Sequence, residues 1–268
     1  MPDAEWILLY LLLGAVVGFV AGLLGVGGGG IMVPLLTLMF TAQGFANEIT
    51  LHLALGTSMA AIVLTALASL RAHQRHGGVL WPVVWQLTPG VVIGTMAGSQ
   101  LAALLPREAL AIFFSLFMLT VALQMAFALR PAASRELPGK IVTGFIGGAI
   151  GAVSALVAIG GGTLTVPFLY YCNITMRQAV GTAAAVGLPI AIAGTLGYAY
   201  AGLAVAARPE GAFGYLYLPA VLLISSTSML TAPLGARLAH SVPQILLKRL
   251  FSLLLLALSL SLLISTMR

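Results

Sequence analysis

Long apolar stretches separated by very few charges are the feature that most limits how this chain can fold. Hydrophobic residues make up 60% of its 268 residues and charged residues only 7%. A soluble domain carries about 25% charged residues, so 12 Lys and Arg with 6 Asp and Glu cannot cover a folded globule of this size. The sequence therefore predicts an integral membrane protein. It excludes a soluble enzyme, a disordered chain and a nucleic-acid-binding protein, whose basic residues would be clustered.

Ten apolar stretches are candidates for membrane crossings, because a helix needs about 20 mainly apolar residues to cross the hydrocarbon core. They cover residues 6–26, 30–45, 50–70, 79–104, 108–129, 141–160, 163–173, 178–202, 215–239 and 245–266. The second and the seventh are short and follow glycine runs, so each is either a short, tilted crossing or a re-entrant half-helix. We expect an all-α integral membrane protein with about ten transmembrane segments, two of them short and broken by glycine.

The few charges give these segments an orientation, since Lys and Arg are enriched in loops on the cytoplasmic side. With the N-terminus outside, nine basic residues fall inside and three outside. Those inside are Arg71, Arg75, Arg130, Arg135, Lys140, Arg177, Arg237, Lys248 and Arg249. Five of the six acidic residues fall on the outer side. We therefore predict that both termini lie outside.

A sequence repeat divides the chain into two halves. The segments GAVVG at 14–18 and GGGGIMVP at 27–34 match GGAIG at 147–151 and GGGTLTVP at 160–167. Two later matches keep the same order: 56–58 with 181–183, and 98–102 with 235–239. Five segments in each half give opposite orientations, so we predict inverted repeats at 1–129 and 141–268 with a cytoplasmic linker at 130–140. Inverted repeats are typical of secondary transporters; the alternative is a duplicated scaffold that transports nothing.

The glycine runs are the strongest local indication of a site. Helix-breaking backbone at membrane depth is tolerated only where it is buried in protein or lines a water-filled cavity, and a following helix start favours anions. The predicted backbone ligands are Gly28, Gly29, Gly30, Gly161 and Gly162. A proline follows each run, in what we expect to be an early turn of the next helix. The helically spaced Gly14, Gly18, Gly147 and Gly151 fit either a site or close helix packing.

Hydroxyl groups near these runs are the next candidates. Thr57 and Thr182 occupy equivalent places in the repeat, and we predict that they bind substrate oxygens together with Ser58 and Thr163. Ser and Thr in membrane helices also commonly bond to backbone carbonyls, so a structural role is the alternative. His52, near the outer end of the third segment, is either an anion or proton contact or an interfacial side chain.

The sequence places no Asp or Glu deep in any predicted span. Proton relays and cation sites in membranes commonly use such carboxylates, so the remaining amides, hydroxyls and helix starts favour a small anion. The same scarcity argues against a membrane enzyme. We expect no metal site and no cofactor, because the one cysteine and the scattered histidines do not form a ligand set.

Several motifs together resemble the sulfite exporter TauE/SafE family. They are GLLGVGGGGIMVP at 22–34, ALGTS at 54–58, HQRHG at 73–77, GGGTLTVP at 160–167 and AVGT at 179–182. The resemblance covers roughly residues 5–265. It implies a bacterial inner-membrane permease for sulfite, sulfoacetate or related organosulfonates. The second Gly-Thr motif continues with Ala183 rather than Ser, so the two half-sites differ chemically.

Together these features predict a secondary transporter that moves a small anion by alternating access. Its partners would be the anion, a coupling ion that the sequence does not identify, and the lipid bilayer, with a second copy in a homodimer as a further expectation. A passive anion channel is the first alternative, and an integral membrane enzyme is the second.

Overall fold

The computed structural model describes residues 3–24, 28–127, 136–238 and 244–267, so Gly27 and most of the predicted linker lie outside the described part. Within these ranges the chain forms ten helices and one short hairpin. The helices are α1 Ala4–Leu24, α2 Gly29–Ala42, α3 Thr50–Arg75, α4 Trp81–Leu104, α5 Arg107–Ala126, α6 Lys140–Val157, α7 Gly162–Tyr171, α8 Met176–Ala201, α9 Leu218–Leu238 and α10 Gln244–Met267. The antiparallel strands are β1 Ala212–Phe213 and β2 Leu216–Tyr217.

The hairpin corrects the prediction for the ninth segment and the expectation of a purely α-helical chain. Residues 215–217 were predicted to begin a helix, but they belong to the turn and to β2, and α9 begins at Leu218. Tyr215, Leu216 and Tyr217 are all buried, and a short run of such large side chains does not by itself distinguish a buried strand from the start of a helix. The turn depends on Gly214, whose φ of +59° favours glycine.

Seven of the described helices have the length and apolar composition to cross a membrane: α1, α3, α4, α5, α6, α8 and α9. The short helices α2 and α7 contain 14 and 10 residues. At 1.5 Å per residue they are about 21 Å and 15 Å long, less than the hydrocarbon thickness of about 30 Å. Neither is long enough to cross as a straight helix, and both the choice between a short crossing and a half-helix and the count of ten crossings stay predictions.

Helices α3 and α8 form the centre of the molecule. Sixty-one per cent of the apolar window of each is buried, against 28% for α1 and α9. The outer helices instead carry many exposed large apolar side chains, such as Leu8, Ile93, Phe145 and Leu222. A soluble protein rarely exposes so much contiguous apolar surface, so this outer surface fits a lipid environment.

The interior contains very little charge. All six acidic side chains are exposed, and no Lys or Arg in the part of the chain with described side chains is buried. The buried polar residues are Ser and Thr, together with His52. The interior can therefore offer a ligand hydroxyls and backbone groups but no carboxylate.

Helix α1 packs on α9 and α6 packs on α4 through glycine notches, by which we mean helix positions where the missing side chain lets a carbonyl of the neighbouring helix come close. A Cβ atom at Gly14 would lie 2.5 Å from the carbonyl oxygen of Ile224, and one at Gly147 would lie 2.5 Å from that of Leu87. One turn further on, a Cβ at Gly18 would lie 2.4 Å from the carbonyl oxygen of Ser228, and one at Gly151 would lie 2.3 Å from that of Val91. Each helix of the first half thus packs on a helix of the second, and the four glycines serve close packing.

Two neighbouring glycines of α6 give a matched test of this packing. A Cβ at Gly151 would meet the Val91 carbonyl at 2.3 Å, whereas one at Gly148 would approach only the Gly90 carbonyl, at 3.6 Å. Because backbone cannot move aside as a side chain can, we expect Gly151→Ala to cost about 1–3 kcal/mol of stability. Gly148→Ala should unfold at the wild-type temperature in detergent. Equal melting temperatures for the two variants would contradict a notched interface.

Candidate functional site

The two glycine breaks meet in the middle of the molecule. We define the first break as residues 28–30 and the second as residues 158–162. A Cβ at Gly29 would lie 1.7 Å from the carbonyl oxygen of Ala158, so the two backbones touch. Ile62 lies between them, with side-chain atoms 3.4 Å and 3.3 Å from Cβ positions at Gly29 and Gly160. Since Ile62 is halfway along α3, the breaks lie halfway along the central helix.

The second break is held in an irregular conformation. Helix α6 ends at Val157, and the next residue, Ala158, caps it in the left-handed conformation with φ 49° and ψ 42°. Gly161 also has a positive φ, +66°, and its amide donates to the Ile159 carbonyl at 2.9 Å. Left-handed backbone is costly for alanine and easy for glycine. The glycines therefore let α6 stop and α7 start within a few residues.

Two helix starts result from the breaks. Helix α2 begins at Gly29 and α7 at Gly162. The first amides of any helix have no acceptor within it and carry partial positive charge. The absence of side chains at the glycines allows a ligand close to these amides. Each start is thus a potential anion site, provided that it can be reached.

The prolines lie deeper in the short helices than the sequence predicts. Pro34 and Pro167 are each the sixth residue of their helix and are therefore helical interior positions rather than first-turn positions. A proline there has no amide hydrogen to donate to the carbonyl four residues before it. The carbonyls of Gly30 and Thr163 consequently lack that helical donor, although the first turns of α2 and α7 are helical.

Most Ser and Thr hydroxyls of the helices already donate a hydrogen bond within their own helix. They donate to carbonyls three or four residues earlier, as Thr37 does to Val33 at 2.8 Å and Thr195 does to Ala191 at 2.7 Å. This is the usual structural role of hydroxyls in membrane helices. Any hydroxyl that departs from the pattern is therefore informative.

Thr57 and Thr182 depart from it in matching ways. The Thr57 hydroxyl accepts a hydrogen bond of 3.0 Å from the amide of Tyr217, immediately before α9. The Thr182 hydroxyl accepts one of 3.0 Å from the amide of Leu80, immediately before α4. Each threonine thus satisfies an amide at the start of another helix. The two contacts are alike, and each oxygen already has a structural partner.

Five other hydroxyls are buried without any hydrogen-bond partner in the described part of the chain. They belong to Ser58, Thr95, Ser154, Thr163 and Thr165. All but Thr163 are residues of 0% exposure. Buried polar groups without partners are rare and each requires an explanation. An unbonded hydroxyl can still donate to a ligand.

Four of these hydroxyls flank the breaks. Ser154 lies in the last turn of α6, and Thr163 and Thr165 lie in the first turns of α7. Ser58 precedes Ile62 by one turn of α3, on the same helical face. Thr95 packs at Gly151, one turn before Ser154. Ser58, Ser154, Thr163 and Thr165 thus lie beside the breaks.

Sequence reasoning did not single out Ser154, because it has no hydroxyl counterpart in the repeat. The only signal available was its position four residues before the second break.

His52 lies apart from the breaks. Its Nε2 donates to the carbonyls of Ala102 and Leu105 at 3.0 and 3.2 Å, and its ring stacks on Tyr215 with centroids 5.3 Å apart. Ten residues of helix, about 15 Å, separate it from Ile62. Here His52 joins α3 to the end of α4. Its predicted role as a substrate contact gains no support from this position. Among the described residues, no three His, Cys, Asp or Glu side chains group as metal ligands would.

Comparison with known proteins identifies the family. The profile of the family described as "Sulfite exporter TauE/SafE" matches residues 10–262. This chain belongs to the TauE/SafE family. The match includes both glycine breaks and nearly every helix. The resemblance seen in the sequence motifs is therefore confirmed.

Curated relatives from distant organisms carry similar names. A "Probable membrane transporter protein" of Haemophilus influenzae is 34% identical over 96% of this chain and 97% of its own length. YdhB of Bacillus subtilis, also named a probable membrane transporter protein, is 28% identical over 90% of this chain and 92% of its own. No solved structure matches the chain. With its seven apolar helices, this TauE/SafE chain is a multi-pass membrane protein of a transporter family.

Proposed function

We propose that this chain is a secondary transporter of a small anion, with sulfite and organosulfonates such as sulfoacetate as its substrate class. One observation carries the proposal. Two helix starts and four unpartnered hydroxyls flank the same point halfway along the central helix, and no described carboxylate is buried. Hydroxyls and helix starts can donate hydrogen bonds, and donors without acidic neighbours favour an anion over a cation. The family description supplies the sulfur oxyanion.

The packing supports two inverted repeats, residues 1–129 and 141–268, joined by a linker at 130–140. The notches of α1 on α9 and of α6 on α4 correspond residue by residue, and so do the contacts of Thr57 and Thr182. In transporters with such repeats, the substrate lies near the midplane and one unit moves against the other to alternate access. The position of the breaks fits that arrangement.

The same proposal places the protein in a bacterial inner membrane with both termini on the periplasmic side. The exposed basic residues support this orientation. Arg71 and Arg75 lie at the end of α3 and Arg177 at the start of α8, and the Arg177 guanidinium donates to the carbonyl of His76. This contact puts the two basic helix ends on one face, as a cytoplasmic surface requires.

A ligand screen tests the anion class directly. We expect sulfite or sulfoacetate to raise the melting temperature of the purified protein, because a ligand that binds only the folded state stabilises it. Thiosulfate, taurine, sulfate and simple carboxylates would define the range, with sodium and potassium chloride at equal ionic strength as controls. Saturable flux of the bound anion into liposomes would separate a transporter from a channel. Stabilisation by cations alone, with no anion effect, would contradict the proposal.

A further inference from the structure

The two glycine breaks differ in how tightly they are packed. At the first break, Cβ positions at Gly28 and Gly29 would lie 2.2 Å from a Val17 methyl and 1.7 Å from the Ala158 oxygen. A Cβ at Gly30 would lie 3.2 Å from the Met118 sulfur. Gly28, Gly29 and Gly30 are all buried, and so are the next four residues of α2. The start of α2 is therefore covered by protein.

The second break is more open. Gly160, Gly162 and Thr163 are only half-buried, as are four of the next five residues of α7, whereas Gly161 is buried. The nearest atom to a Cβ at Gly160 is a methyl of Ile62, at 3.3 Å. Helix α10 packs along α2, whereas α7 rests chiefly on α8. The start of α7 is thus less covered by protein than the start of α2.

The chemistry of the two breaks differs in the same direction. Thr163 and Thr165 correspond in the repeat to Gly30 and Met32, and Ser154 corresponds to an alanine at position 21. The hydroxyls of Ser154, Thr163 and Thr165 have no partner in the described chain, and Ser154 and Thr165 are fully buried. Among the described residues, only the second break therefore combines a helix start with hydroxyl donors that have no partner.

We propose that the second break alone holds the anion, between the start of α7 and the hydroxyls of Ser154, Thr163 and Thr165, and that the first break is a packed joint. This rests on the proposed function for the charge of the ligand, but not for the place. A helix start with hydroxyl donors and no acid can bind a single sulfonate, sulfite or sulfate group. The same chain would then carry one anion per cycle, not one at each break.

Cysteine labelling tests the place and the charge separately. In a Cys172→Ala background, which removes the sole cysteine, Thr163→Cys and its repeat counterpart Gly30→Cys would be treated in membranes with membrane-impermeant methanethiosulfonates. One reagent carries a sulfonate and the other a quaternary ammonium. We expect Thr163→Cys to react, roughly tenfold faster with the sulfonate, and Gly30→Cys to stay unlabelled. Ile31→Cys repeats the control should Gly30→Cys not fold.

Each outcome decides something. Reaction at the first break as fast as at Thr163→Cys, or no reaction at Thr163→Cys, would overturn the proposed place. Equal rates with both reagents at Thr163→Cys would leave the place standing and overturn the anion preference on which the proposed function depends.

Removing single hydroxyls gives a second test of where the anion binds. With sulfate as the probe, Thr165→Val and Ser154→Ala should each weaken binding roughly tenfold, since a hydrogen bond to a charged group is lost. Thr37→Val removes an equally buried hydroxyl that is already bonded to Val33 and should leave sulfate affinity unchanged. Unchanged affinity in both test variants would overturn the assignment.

Discussion

Replacing Gly29 with alanine is expected to be the most damaging single substitution at the site. Its new Cβ would lie 1.7 Å from the carbonyl oxygen of Ala158, far inside any possible contact. Both groups belong to buried backbone at the junction of the two breaks, so no flexible side chain can move aside. We expect a loss of at least about 3 kcal/mol in stability and loss of sulfite flux in liposomes. Melting temperature and flux of the purified variant would be measured together.

Gly160 supplies the matched control on the other side of the junction. There a Cβ would meet only a methyl group of Ile62, at 3.3 Å, and that side chain can adjust. We expect Gly160→Ala to fold and to melt within a few degrees of wild type. A Gly29→Ala protein as stable and as active as Gly160→Ala would show that the two backbones do not meet in the working protein.

The double replacement of Thr57 and Thr182 with valine is expected to have the second-largest effect, and on stability. Each change removes the acceptor of a helix-start amide, that of Tyr217 or of Leu80. A buried amide left without a partner costs about 1–3 kcal/mol. The two costs should add if the sites are independent, because the amides belong to different helices. Thermal unfolding of the single and double variants would measure both terms and their sum.

Ser58→Ala is the control, because it removes the neighbouring hydroxyl on the same helix. The Ser58 hydroxyl is buried and has no partner in the described chain. Its removal should leave stability unchanged or slightly higher. If instead Thr57→Val kept the wild-type melting temperature, the hydroxyl would be free for substrate, as sequence reasoning alone suggested.

The contrast between Thr57 and Ser58 shows where sequence reasoning stops. Sequence reasoning predicts that both hydroxyls bind substrate, and the sequence repeat pairs Thr57 with Thr182. The partner of Thr57 is an amide 160 residues away. Only the packing of α3 against the start of α9 reveals which of two adjacent side chains faces that amide.

The positions of the helices could be predicted from the sequence more directly than the partners of single side chains. Hydropathy predicted the helices because a membrane requires about 20 apolar residues per crossing, whatever their partners. It missed the hairpin at 212–217, because a short run of large, buried side chains can belong either to a strand or to the start of a helix. Glycine spacing left packing and binding open at positions 14, 18, 147 and 151, because a missing side chain serves either purpose. The opposing carbonyls decide for packing.

Helices of one half pack on helices of the other, and this packing affects the order in which the protein can assemble during synthesis. The notched face of α1 packs on α9, and α9 starts at Leu218. At a translation rate of about 5–20 residues per second, α1 ends at Leu24 and then waits roughly 10–40 seconds for its partner. During that time its glycine face meets lipid or the insertion machinery. Helix α6 can pack at once, because its partner α4 is synthesised before it. The nascent second half can therefore assemble as it emerges, while the first half must stay incomplete until the ninth helix arrives.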